Sequence, residues 1–491
     1  MKHTILSAIA VAIMACQALT ATAQNNVDQT TAKQIGAYYL SAQIGSKAVT
    51  PQALTLAYQI DNPILNIPTL YIFNLNEKGF VVVAGNKTTD PIIAHSTEGS
   101  FDPNNIPPAF QWWLNQYVQT IAYAQNNDIQ PDAATLQSWQ QLEQKRLPYF
   151  GSGKAITILL KSKWDQGDPY NRECPMLGNQ HCLTGCVATA MAQIMHYWKY
   201  PYTAKGSVPD PIDNNNMLDF GNYFYNQRIM PDELTTDHSQ EQIHAVALLN
   251  YHCGAAARMS YDTAGSGALS SRYVPLAYKN NFKYEPSLVM LDRTSSYWNN
   301  ASNTPNYRDT MWLDTLKREI SAKRPIFYTG RDLSSTGTHA GHAFVCDGYN
   351  SINKQLHFNW GWGGSSDCWC NVITSRLNAG GYQFQSNHNA LIGLTPPADS
   401  IANQVGINPA LPQDQAAPAY PNPASTQVTI PTSYQPAADN LLRLYDASGR
   451  LVAQHTIHPY TTSVTLNVSN LPAGLYIYRF NNTTNKLAVR K

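Results

Sequence analysis

The chain has 491 residues, more than one hydrophobic core can serve, so about two to four domains are expected. Its 33 Lys and Arg nearly balance 32 Asp and Glu, leaving a net charge of +1. That balance argues against a nucleic-acid surface or a polybasic membrane patch.

Lys2 and His3 open a short polar region, Ile5 to Met14 form an apolar run, and Ala21-Thr22-Ala23 precedes Gln24. This pattern reads as a signal peptide over 1–23, too short for a membrane span. A lipoprotein box at Ile13-Met14-Ala15-Cys16 is the rival, with unfavourable Ile and Met at its first two positions. Export would put the chain in an oxidising space. Of its eight cysteines, seven remain once Cys16 is removed, so at least one thiol stays unpaired. Cys174 and Cys182 could close a small loop, whereas Cys368 and Cys370 sit too close for an easy mutual bond.

A first module, 24–150, holds strands at Tyr71–Phe73 and Phe80–Ala84 about a turn at Asn76–Gly79, then helices at Phe110–Ala124 and Ala134–Lys145. The Gly-rich basic stretch around Lys145–Lys154 has the character of an exposed processing loop. The second module, 151–398, opens on a helix in which Val187, Ala190, Met191, Ile194, Met195 and Trp198 recur at helical spacing, which predicts one buried stripe. Thr184 and Gly185 can cap its start, and Lys199 with Pro201 ends it. Cys186 then lies in the first turn, where unpaired N–H groups and the helix dipole favour a thiolate. Taken alone, Cys186 reads more readily as a small buried apolar residue. Further on come a helix at Gln240–Cys253, a small-residue segment Ala264-Gly265-Ser266-Gly267-Ala268, a helix at Asp309–Ala322, and strands at Pro325–Thr329, His342–Tyr349 and Gln355–Trp360. Residues 399–417 have linker composition. In the third module, 418–491, short alternating runs at Gln427–Ile430, Leu441–Asp446, Leu451–Thr456, Ser463–Val468 and Gly474–Phe480 predict a small β-sandwich.

Nucleophilic cysteine chemistry needs a base near the sulfur, a group to hold that base, and donors for an oxyanion. His342 stands at the start of an apolar strand, and a turn at Asn350–Lys354 should bring Asn359 back to within a few residues of it. The Asn359 amide can accept a bond from the imidazole, with Trp360 and Trp362 covering that bond. Gln166 could join the Cys186 N–H as an oxyanion donor. A lone strand His is more often structural, and a loop Gln is more often solvated. A zinc site is disfavoured, since neither H-E-x-x-H nor a paired C-x-x-C occurs, and a serine hydrolase is disfavoured for want of a G-x-S-x-G elbow. No cofactor or metal is called for. A secreted adhesin or binding protein with an inert Cys186 is the non-enzymatic alternative.

In order, WDQGDPYN, GCVATAMAQIMHYW, GHAFVCDGY and NWGWGG resemble the streptopain family of papain-like cysteine peptidases, and GFVVVAGNKTTDPIIAHSTEGSF resembles that family's propeptide. The resemblance covers about residues 30–398 and implies an α+β fold: a papain-like catalytic domain preceded by an α+β prodomain and followed by the all-β sandwich. It further implies an endopeptidase made as a zymogen, acting on protein or peptide substrates, with its own propeptide as intramolecular inhibitor. By position, Cys186 is the nucleophile, His342 the general base and acid, Gln166 an oxyanion donor, and Asn359 with Trp360 the orienting group. Gly265, Ser266, Gly267, Ala268 and Gly341 match segments lining the substrate cleft, although the Gly/Ser order differs here. In the third module AYPNPAS, LYDASGRLV, LPAGLYIYRF and KLAVRK resemble the C-terminal sorting domain of the type IX secretion machinery. This resemblance implies outer-membrane export from a Gram-negative cell and removal of the domain. An ordinary carbohydrate-binding or adhesive sandwich is the alternative for that module.

Overall fold

The computed structural model describes residues 25–45, 49–76, 78–147, 157–213, 215–293, 305–331, 341–351, 353–372, 388–398, 400, 419, 421–431, 440–457, 463–480 and 483–490. The export segment, the processing loop beyond residue 147 and the linker apart from Ser400 lie outside these residues.

Helix α1 (Gln29–Ile44) precedes strands β1 (Thr55–Asp61), β2 (Pro68–Asn74), β3 (Phe80–Ala84) and β4 (Ile92–Ser96), followed by helices α2 (Pro108–Asn126) and α3 (Ala133–Glu143). Next come β5 (Thr157–Ile158), hairpin β6 (Met176–Leu177) and β7 (Gln180–His181), and helix α4 (Cys186–Trp198). Hairpin β8 (Ser207–Pro209) and β9 (Met217–Asp219) leads to α5 (Gln240–Ala256), α6 (Ser270–Leu276), β10 (Val289–Asp292) and α7 (Pro305–Ser321). Strands β11 (Ile326–Arg331), β12 (Gly341–Tyr349), β13 (Leu356–Asn359), β14 (Cys368–Cys370) and β15 (Asn389–Ile392) complete the second module. The third holds β16 (Gln427–Pro431), β17 (Asn440–Asp446), β18 (Leu451–Ile457), β19 (Ser463–Asn467), β20 (Gly474–Phe480) and β21 (Thr483–Val489).

Strands β1, β4 to β10, β14, β15 and β21 and helices α1 and α6 are additions to the expected elements. Every residue of β4 is buried, so both its faces are covered and it lacks the alternation that marks a half-exposed strand. Helix α1 is set by its ends: the Asp28 carboxylate accepts from Thr31 N at 2.8 Å, and Gly45 takes a φ of 68° at the C-cap.

The chain divides into two compact units, residues 1–165 with 288–394 and residues 166–287 with 395–491. In the first, an eleven-stranded sheet runs β1-β2-β3-β4-β14-β13-β12-β11-β15-β10, with β5 on β12. Strands β1 to β4 of the N-terminal module and strands β5 and β10 to β15 of the second module therefore form one sheet, joined at β4 and β14 through Trp369↔His95 and Cys370↔Ala94. Helix α2 packs on the same sheet. Phe110 stacks on Trp360 at 5.2 Å between ring centroids, and Trp113 lies 5.0 Å from Phe358. The Trp112 ring lies over Gly330, where an added Cβ would stand 2.2 Å from it.

In the second unit α4 is buried on every side from Val187 to His196, rather than along one stripe. The reason is that α4 is a central helix: Cys253 of α5 approaches Met195 at 3.7 Å between sulfurs, and the Tyr278 hydroxyl donates to the Met191 carbonyl at 3.2 Å. The third module is the expected sandwich, a β16-β19 pair and a four-stranded β18-β17-β20-β21 sheet. Val428, Leu442, Tyr478 and Leu487 lie in its core.

Candidate active site

Cys186 is the first residue of α4, and its N-cap is Gly185 at φ 81° and ψ 144°, a conformation suited to glycine. A Cβ on Gly185 would stand 2.7 Å from the Ser266 carbonyl oxygen and 2.9 Å from Met259 Cε. Glycine brings no capping side chain, so the N-terminal N–H groups of α4 receive no side-chain cap there.

Thr184 does not cap the helix. Its buried hydroxyl lies 3.4 Å from the Gln166 carbonyl and 2.9 Å from the Thr189 hydroxyl, which itself donates to the Gly185 carbonyl at 3.2 Å. The Thr184 N–H also donates to the Gln166 carbonyl, at 3.0 Å. Gln166 is thereby tied to the segment leading into Cys186, and it is itself buried.

All seven described cysteines carry thiols, so the loop that Cys174 and Cys182 could close is not bridged in this structure. Six of them are buried, and Cys186 alone among the described cysteines is partly exposed. Burial pushes the thiols of Cys174, Cys182, Cys253, Cys346 and Cys370 up, keeping them protonated and unreactive. Cys368 and Cys370 stand 3.5 Å apart between sulfurs as a thiol–thiol hydrogen bond rather than a disulfide.

The 264–268 segment reaches the chain leading into Cys186 through Ser266. Its hydroxyl donates to the Leu183 carbonyl at 2.6 Å and accepts from Asp262 N at 3.0 Å. Ser266 is therefore a latch. Gly265 and Gly267 are exposed with open space where a Cβ would sit, and Ala268 is partly exposed.

The other candidates lie in the first unit. His342, partly buried, is the second residue of β12 and pairs with Gly330 across β11. Gly341, exposed, precedes it. The hairpin returns Asn359 opposite Val345, three residues from His342. The Asn359 amide donates to the Ser162 carbonyl at 2.8 Å and accepts from Gly361 N at 3.0 Å. Trp360 is buried, its indole donating to the Ser366 carbonyl and its N–H to the Asp367 carboxylate, at 2.8 and 2.9 Å. Burial raises the Asp367 pKa to about 7. Trp362, partly exposed, donates to the Asn105 side chain of the N-terminal module at 3.2 Å. Two features escape the sequence reading: the Thr184–Thr189 hydroxyl pair and the Trp112 ring over Gly330. Each pairs residues that no local motif links.

Comparison with known proteins bears on each module. The Peptidase C10 family profile matches residues 164–370, the Spi protease inhibitor profile residues 24–121, and the secretion system C-terminal sorting domain profile residues 418–491. Streptopain of Streptococcus pyogenes is 30% identical over 354 residues, covering 67% of this chain and 81% of its own. The thiol protease/hemagglutinin PrtT of Porphyromonas gingivalis is 30% identical over 344 residues, 67% of this chain. That match spans only 37% of the length of PrtT. A solved fragment of Prevotella intermedia prointerpain A, a cysteine-to-alanine mutant, aligns with a TM-score of 0.53 at 28% identity, covering 70% of this chain and 98% of its own.

Proposed function

Because this chain belongs to the streptopain-like peptidase C10 family of cysteine peptidases, we propose that it is a secreted endopeptidase made as a zymogen, with Cys186 as nucleophile and His342 as general base and acid. The Cys186 thiolate, paired with the His342 imidazolium, attacks the scissile carbonyl. The Gln166 side-chain amide and the Cys186 N–H hold the oxyanion. His342 protonates the leaving amine, water then hydrolyses the acyl-enzyme, and Asn359 orients the ring under Trp360. The boundaries are a signal peptide over 1–23, propeptide over 24–150, peptidase over 151–398, linker over 399–417 and sorting domain over 418–491. Gly265, Ser266, Gly267, Ala268 and Gly341 border the substrate, Ser266 through its latch on Leu183. The sorting domain assigns the chain to secretion or the cell surface, and the type IX machinery is its partner there.

The observation that carries this reading is Cys186 itself, a partly exposed thiol at a helix start without a side-chain cap, tied through Thr184 to Gln166. Its test is alkylation of the processed protein at mildly acidic pH with a thiol-specific reagent, followed by peptide mapping. Cys186 is expected to react faster than free cysteine, and parity would defeat the assignment. Thr184→Val should lower kcat about tenfold by loosening the Gln166 segment, less than the roughly 100- to 1,000-fold of losing an oxyanion donor outright. Thr184→Ser should restore it. Iodoacetamide alkylation, which needs no oxyanion donor, should stay at the wild-type rate in both variants.

The place of the N-terminal module on the sheet supports inhibition by that module. Its strand β4 extends the sheet at β14, and Trp112 of α2 covers Gly330, the residue directly across from His342. Acid should weaken this seat. His95, buried under Tyr39 at the β4–β14 seam, is held down to about 3 by burial and by the charge of His357. His388, against Trp112 and Trp113 and bonded to the Tyr328 hydroxyl at 2.7 Å, is lowered well below its ordinary value by burial and Arg293. Released, each His would titrate near 6.5. The stability contributed by a His with a lowered pKa is complete above about 6.5 and falls by about 1.4 kcal/mol per pH unit below it. His357 shifts upward, since Asp347 at 2.7 Å, with Asp367 and Glu98, outweighs the opposing burial; Asp347 and Asp367 belong to the peptidase, and only the smallest contribution, from Glu98 of the N-terminal module, opposes release by acid. Dissociation of the isolated N-terminal module from processed enzyme should thus rise at least about tenfold between pH 6 and pH 5. A pH-independent dissociation constant would refute this.

A further inference from the structure

One hollow in the second unit has no part in the chemistry above. It encloses about 730 Å³ beside hairpin β6–β7, with Pro175, Met176, Leu177, Ile212 and Met259 among its walls. Met176, Leu177 and Ile212 are 54%, 51% and 61% exposed, a concentration of large apolar side chains at one concave place. Its polar walls are already partnered. Arg172 pairs with Asp168 at 2.7 Å, Glu173 with His244 at 2.7 Å, and the His181 ring with the Cys174 carbonyl at 2.9 Å. Cys174 and Cys182 line it as buried thiols. Beside those partnered polar groups, the hollow offers a visitor the apolar surface of Met176, Leu177 and Ile212.

Its walls lead directly to the reacting centre. Met259 packs where a Gly185 Cβ would be, one residue before Cys186. Ser260, the next residue, bridges to Gly267 with N–O distances of 2.9 and 3.0 Å, and Leu183 N donates to the Asp262 carbonyl at 3.1 Å. The segment entering the nucleophile and the small-residue loop at 264–268 are thus continuous with two walls of the hollow. We infer that the hollow is a remote substrate subsite that takes a bulky apolar side chain of an extended peptide, outside the residues flanking the scissile bond. An extended chain advances about 3.3 Å per residue, so a bound peptide passing along 265–267 has a side chain within reach of it. The inference rests on the peptidase reading of Cys186, and it makes the substrate a long, unfolded or loop-presented chain with a distant Leu, Met or Phe.

The test uses processed enzyme and a peptide set sharing one cleaved core, lengthened in both directions, with Leu or Ser placed at each added position in turn. Rates are expressed relative to the unextended core for the same enzyme. One added position is expected at which Leu exceeds Ser by about tenfold in kcat/KM, the size of burying one aliphatic side chain. Leu177→Asn and Ile212→Asn should each reduce that ratio toward one. Both side chains are more than half exposed, so the exchanges do not threaten the fold. A set with no such position, or a ratio untouched by both variants, overturns the subsite. If the variants change the sedimentation of the enzyme and leave the ratio alone, the hollow is a self-association face and the inference is wrong. Failure to cleave the core at all would count against the peptidase reading instead, which separates the two outcomes.

Discussion

Replacing Cys186 with Ala is expected to lower casein hydrolysis by about five to six orders of magnitude and to leave the full-length precursor unprocessed. The size follows from the chemistry. Removing a nucleophile whose partners act as a unit leaves only what substrate binding and the oxyanion donors supply, and losses near 10⁶ are the measure of that in a comparable hydrolase. Cys186 opens a central helix with no side chain capping its start, while the other described cysteines are buried. None of those is placed to substitute for it, because all six are buried away from solvent and burial holds five of them protonated. Two readouts separate two claims. Residual casein activity near wild type would reject Cys186 as nucleophile. Normal removal of the N-terminal module in an inactive variant would show that another protease does the cutting.

Gly330→Ala should weaken inhibition by the isolated N-terminal module about tenfold to a hundredfold, with a smaller effect on turnover of the processed enzyme. Gly330 lies on β11 directly opposite His342, and a Cβ there would stand 2.2 to 2.4 Å from three atoms of the Trp112 ring. The ring has little room to yield. It is packed against Trp113 at 6.1 Å, Phe344 at 6.3 Å and His388 at 5.1 Å between centroids. Overpacking of this kind costs about 1–3 kcal/mol, which sets the expected change in the inhibition constant. Without the N-terminal module the added methyl no longer meets Trp112. Trp112→Leu should recover part of the lost inhibition in the Gly330→Ala enzyme, since the smaller side chain makes room. An inhibition constant unmoved by Gly330→Ala would mean that α2 does not seat at this strand when it inhibits.

Much of the architecture was readable from local pattern. The helix starting at Cys186, the β12–β13 hairpin that returns Asn359 toward His342, and five of the six strands of the C-terminal sandwich all show in periodicity and turn residues. Local pattern failed where burial covers both faces. Strand β4 has no alternation to reveal it, and α4 looked like one buried stripe because its large apolar residues recur at helical spacing, whereas Thr189 and Gln193 are buried as well. Thr184 was expected to cap a helix because its residue type favours that role. Its hydroxyl instead meets Gln166, eighteen residues upstream, a partner that local spacing cannot supply.

The amino-acid order alone determined the residue types the chemistry needs, their order along the chain, and the secondary structure under most of them, because these depend on neighbours a few positions away. Only the tertiary structure decided that β4 of the N-terminal module completes the sheet beside β14, that Trp112 lies on Gly330, and that a Thr184–Thr189 pair braces Gln166. Those contacts join residues up to hundreds of positions apart. They are selected by burial and by the pairing of strand edges, forces that act on the assembled surface and leave no periodic trace in the chain.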